Sequence, residues 1–259
     1  AVTVLVRMAE AETNQQVQAS HWWLAAEYAV RAGDLAAAVN SYRYYANHFA
    51  EPAARQLEAQ YQLTRLYTEL EVPSKADYWR RSIIRTNAAA GAQASVRSRY
   101  LAAEAAMVFA ESEFSAFAHL PLALPLARSL PRKQAALSRA LAAYQGVQGL
   151  GVAEFQSQAN FRIGAIYQQL ARDLLASTRP PDLDAEALMA YDLLLEEQAY
   201  PFEELAIELH AANAQQSWDA KYDRWIAQSY VALAQLLPAR YNKTERVVES
   251  ADDSADDND

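Results

Sequence analysis

The amino-acid sequence predicts an all-α chain, an irregular right-handed superhelix of stacked helix hairpins with about nine or ten helices. Three observations predict it. Among 259 residues there are only 6 glycines and 9 prolines, and much of the 52% hydrophobic content is alanine, the strongest helix former. Apolar residues recur at helical spacing, and no run of alternating β-branched residues interrupts them. A pattern of small and aromatic residues at fixed positions returns after about 38 residues, within the range of helix-pair repeats.

Residues 19–52 show the pattern in full. Trp22, Ala26, Gly33, Ala38 and Tyr42 hold the aromatic, small, turn, small and aromatic positions of the tetratricopeptide unit of about 34 residues. Ala26 and Ala38 fall where the two helices cross, and larger side chains there would push them apart. Gly33 suits a left-handed helix end. Pro52 follows the unit. The second copy places Leu63, Thr64 and Tyr67 on its first helix and Ala76 and Ile83 on its second. Pro73 stands at the first position of that second helix, and Glu71 replaces the turn glycine.

The third copy begins near Ala94 with Tyr100, Leu101, Ala105, Val108 and Phe109 at helical spacing. The run from Leu120 to Pro131 has prolines at 121, 125 and 131 and is expected to be an apolar insert (118–131) rather than helix. It could lie in the groove of the array or cover an edge. The partner helix is then expected from Arg132 to about Tyr144. Gly146, Gly149 and Gly151 are expected to form the next turn.

A fourth first helix spans Phe155 to Leu175, with Phe161, Ile163, Gly164 and Tyr167 in unit positions. Asp184 is expected to cap a helix that ends near Gln198. Pro201 is expected to open a separate helix from Phe202 to about Gln216. A last helix runs from about Asp219 to Leu237, and Pro238 ends it. Residues 1–248 thus read as one array, with N-terminal repeats at 19–90 and divergent ones at 91–248.

The net charge is −9, and much of it sits in the tail, in Glu249, Asp252, Asp253, Asp256, Asp257 and Asp259. Residues 249–259 are expected to be disordered. The rest of the chain is near neutral and has no basic stripe, so no nucleic-acid partner is expected. The chain has no cysteine, which excludes disulfides and thiol chemistry. No stretch approaches the roughly 18 apolar residues of a membrane span. No signal peptide is visible, and the first residue is alanine, so the chain reads as a processed or trimmed form.

Longer strings carry a resemblance. Residues 191–213, YDLLLEEQAYPFEELAIELHAAN, and 225–243, WIAQSYVALAQLLPARYNK, resemble a bacterial family of cell-envelope tetratricopeptide proteins. Gly151-Val152-Ala153-Glu154 and Arg162-Ile163-Gly164-Ala165-Ile166-Tyr167 belong to the same likeness, which covers about residues 90–248. Genes of that family commonly accompany proton-driven inner-membrane motors of the TolQ/TolR or ExbB/ExbD type, or gliding-motility machinery. The resemblance implies a periplasmic, non-catalytic scaffold that binds protein components of an envelope-spanning complex. The alternative is a superhelical module that binds peptidoglycan or another glycan of the cell wall.

In arrays of this kind the first helix of each pair lines a concave groove. The inward positions give Trp23, Glu27 and Val30, then Tyr61, Arg65 and Thr68, then Arg99, then Phe161 and Gln168. Aromatic and arginine side chains dominate protein-binding hot spots, so these are the candidate partner contacts. The equivalents of a carboxylate clamp are Trp23, Glu27 and Arg31, so no such clamp is expected. Tyr191, Tyr200 and Phe202 surround Pro201 and form either a second docking edge or a packed corner. Glu203, Glu204, Glu208 and His210 lack the spacing of a metal-binding helix pair. No cofactor, metal or catalytic residue is expected, and the sequence specifies no oligomeric state.

Overall fold

The computed structural model describes residues 1–219 and 222–242. The expectation of a disordered tail at 249–259 falls outside them. The described residues form eleven α-helices and two short 3-10 turns. In chain order the helices are α1 (Val2–Ala11), α2 (Gln15–Arg31), α3 (Leu35–His48), α4 (Ala53–Glu69), α5 (Pro73–Ala90) and α6 (Val96–Ala118). They continue with α7 (Leu126–Gly149), α8 (Ala153–Leu175), α9 (Ala185–Gln215), α10 (Arg224–Leu236) and the single turn α11 (Pro238–Tyr241). Each helix packs on the one before and the one after, and α4, α6, α8 and α10 also touch in succession. The even-numbered helices from α4 onward therefore form one row.

The first two repeats form as their residues dictate. Ala26 and Ala38 are wholly buried at the α2–α3 crossing, as is Ala76 in the next pair. Gly33 adopts φ 72°, and the Asp34 amide reaches back to the Ala29 carbonyl at 3.0 Å, a Schellman-type helix end. Asp34 then caps α3 through the Ala37 amide. The next turn repeats this geometry with the wrong residue: Glu71 has φ 55°, and the Val72 amide reaches the Tyr67 carbonyl at 2.9 Å. Asn14 caps α2 and starts it earlier than the pattern shows, and α1, which the repeat pattern did not reach, packs against α2.

Two prolines expected to break helices do not. Pro131 lies inside α7 and Pro201 inside α9. The insert therefore shrinks to the connection 119–125, and the expected pair of helices around Pro201 is one helix of 31 residues. Proline removes one hydrogen bond to the carbonyl four residues back. Those carbonyls belong to Ala127 and Glu197, which are exposed residues, as both prolines are, so water can satisfy them. The inward sides stay packed: Ala199 is buried and Phe202 stacks on Tyr167. Of the three glycines expected in the following turn, Gly146 and Gly149 are helical and only Gly151 turns, with φ 67°.

The connection 119–125 is held by Lys133, a wholly buried lysine of α7. Its Nζ donates to the carbonyls of Phe117 at 2.7 Å and Leu120 at 2.8 Å. It also meets Asp173 Oδ2 of α8 at 2.7 Å, as an ion pair outside hydrogen-bond alignment. The lysine thus caps the C-terminus of α6, where a cation also complements the helix dipole. Leu120 and Leu122 pack on the α6–α9 core, so the insert covers an edge of that core.

Candidate functional site

The inward positions of α4 converge on a cavity of about 470 Å³ between α4, α5 and α6. Tyr61, Thr64, Arg65, Thr68 and Glu69 form one wall, and Glu104 and Val108 the other, with Arg80 at the rim. Its floor is Ile83, Leu101 and Ala105, part of a small apolar cluster with Leu57. The helix spacing explains the wall: residues three and four apart share one face.

The charges around the cavity differ in their freedom. Arg80 is held by Asp77 at 2.8 Å and by the Thr68 hydroxyl at 3.2 Å. Tyr61 is half-buried, with the Arg97 guanidinium over its ring at 5.2 Å, and Arg97 is itself paired with Glu58. Arg65, Glu69 and Glu104 make no ion pair among the described residues. Nearby, burial pushes the Tyr42 hydroxyl up to about 12, Glu27 and Glu58 push the same way, and Arg65 opposes them. Glu27 of α2 and Arg65 of α4 therefore both bear on Tyr42 of α3, which is buried and does not line the cavity. The arrangement offers an apolar trough with one free guanidinium and two free carboxylates at its edge. That is a surface for seating side chains and pairing with charges.

The other candidates are placed differently. Trp23 and Glu27 do not line the cavity. The Trp23 Nε1 donates to Glu27 Oε1 at 2.9 Å, and its ring packs edge-on to Tyr42 and Tyr45 under the Arg55 guanidinium. Trp23 is a packing residue of the first repeat. Arg99 is exposed but lies off the cavity-facing side of α6, which carries Leu101, Glu104, Ala105 and Val108. Phe161 packs against His210 and Trp225, and Gln168 is buried. Phe161 therefore serves the contact of α8 with α9 and α10.

Around Pro201 there is no corner, since α9 runs through it. Phe202 is a core contact, Tyr191 is half-buried and Tyr200 is exposed. His210 turns away from Glu204 and Glu208 and is wholly buried. Its ring lies over Gly164, where a Cβ would come within 2.9 Å of it. Burial pushes its pKa down to about 4. Around it, Asn213 donates to the Ser229 hydroxyl and the Ser157 carbonyl, and Ser157 donates to Asp223, the cap of α10. The unit pattern marked Gly164 as a crossing position but gave no sign that a histidine would fill the crossing.

Comparison with protein-family models, curated proteins and solved structures finds no match. The envelope-family likeness therefore rests on the strings quoted above. No described helix is long and apolar enough to cross a membrane.

Proposed function

We propose that this chain is a non-catalytic protein-binding array, with the tetratricopeptide-like superhelical arrangement, that seats a segment of a partner in the α4–α5–α6 groove. The observation that carries this reading is the convergence of Tyr61, Arg65 and Thr68, all chosen by their repeat positions, on one apolar-floored cavity. The succession of contacts through α4, α6, α8 and α10 supports a concave inner layer. An envelope setting, in the periplasm and beside a proton-driven motor, is supported by the string resemblance.

The test is crosslinking in cells from a photoreactive residue placed at Thr68, with Tyr78 on the exposed side of α5 as the control position. The expected outcome is one protein, an envelope or motor component, captured from Thr68 and not from Tyr78. Arg65→Ala should reduce that capture about tenfold, the size of a single hot-spot contact, with the circular-dichroism helix signal unchanged. Equal capture from both positions, or none from Thr68, would discard the groove.

A further inference from the structure

Helix α9 is longer than anything that covers it. Its 31 residues span about 46 Å, whereas the 13 residues of α10 span about 20 Å. The polar contacts of α10 with α9 fall on the C-terminal part of the longer helix. His210 and Asn213 meet Ser229, and Tyr230 meets the Ala214 carbonyl. Toward the N-terminus α9 is backed by α8.

The face that α10 leaves open carries three large apolar side chains, with Glu196 and Glu197 in the turn between the second and the third. Met189, Leu193 and Tyr200 follow one another at spacings of four and seven, in line with the half-buried Ile207 and Ala211. They are 67%, 57% and 61% exposed. Large side chains grouped on one open helix face mark a docking surface.

The charge on the same helix says what docks. Helix α9 carries Glu186, Asp192, Glu196, Glu197, Glu203, Glu204 and Glu208 and no lysine or arginine. Among the described residues only Asp192 is ion-paired, with Arg179 at 2.7 Å. A second copy would set these carboxylates against each other, and an anionic lipid surface or a nucleic acid would be repelled. We infer that the N-terminal half of α9 is a docking face for a basic amphipathic helix of a partner protein. Leucine-type side chains of that helix seat on Met189, Leu193 and Tyr200, and its lysines or arginines meet the flanking glutamates. This surface and the α4–α6 groove lie on different helices, so either can fail without the other.

The probe is a designed amphipathic peptide helix with leucines on one face and lysines on the other, compared with a leucine/glutamate counterpart. Hydroxyl-radical footprinting reads the side chains directly. The three methionines supply the controls: Met189 is on the face, Met8 is exposed on α1, and Met107 is buried. The expected result is protection of Met189 and Tyr200 by the leucine/lysine helix, no change at Met8, and no protection by the leucine/glutamate helix. The double variant Met189→Glu with Leu193→Glu keeps the negative field and removes the apolar stripe. It should weaken binding about tenfold or more. Binding that survives this variant, or protection that extends equally to Met8, would reduce the effect to charge alone and overturn the proposal. Shielding of Met189 in the free chain that grows with protein concentration would overturn it in favour of a second copy.

Discussion

At the scale of single residues, two positions are tightly constrained. Glu71 sits in the left-handed region that Gly33 occupies in the preceding repeat, and a residue with a Cβ costs about 1–2 kcal/mol there. Glu71→Gly should therefore stabilise the chain by about 1 kcal/mol, read as a higher urea midpoint with an unchanged slope. Gly164 is under the opposite constraint. Gly164→Ala would drive a methyl group into the His210 ring and should destabilise by about 1–3 kcal/mol. In a His210→Ala background the same change should be neutral or favourable, because alanine is the better helix former. His210 also sets a pH dependence. Its folded pKa, near 4, lies below the ordinary 6.5, so its contribution is intact above about pH 6.5 and is lost as pH falls toward 4. Stability should drop by about 1.4 kcal/mol per pH unit in that window. Removing the imidazole should flatten that part of the profile, and an unaltered slope in His210→Ala would assign it to other groups.

At the scale of elements, the connection between α6 and α7 depends on one buried cation. Lys133 ties the end of α6, the turn at Leu120 and Asp173 of α8. Lys133→Met keeps much of the volume but leaves two carbonyls and a carboxylate without their partner. Breaking a buried pair from one side costs about 3–5 kcal/mol, and Lys133→Met should lose about that much in urea unfolding. Asp173→Asn should lose less, because Asp173 remains partly exposed. A loss below that of Asp173→Asn would show that the lysine holds nothing essential. Helices α7 and α9 make a related point. Their prolines lie on the water side, and continuous packing on the other side keeps each helix whole.

At the scale of the whole molecule, the apolar interior comes in sections. One cluster joins α1 to α5, another joins α6 to α9, and the smaller group of Leu57, Ile83 and Leu101 links them beneath the groove. In a linear array, stability divides into units and the interfaces between neighbours. Ile83→Ala should weaken the link by about 2–5 kcal/mol and separate the two halves in urea unfolding. Trp22, Trp23 and Trp79 would report the first half, and Trp225 the second. A single coincident transition in that variant would show that the halves are coupled by more than this group. The groove sits over this link, and the α9 face lies on a helix of the second section.

The sequence by itself determined the all-helical class and the first two hairpins. Crossing positions such as Ala26, Ala38, Ala76 and Gly164 must be small whatever surrounds them, and Pro73 and the turn at Gly33 act through local backbone geometry. It also picked out Tyr61 and Arg65, because repeat position alone fixes which face of α4 they share. Only the tertiary structure decided that Pro131 and Pro201 stay inside helices, that Trp23, Phe161 and Gln168 pack rather than line the groove, and that Lys133 and His210 are buried. Each of those outcomes depends on which distant helix lies alongside. A residue's own neighbours in the chain set its local conformation, but they cannot say whether water, a carboxylate or another helix will occupy its outer side.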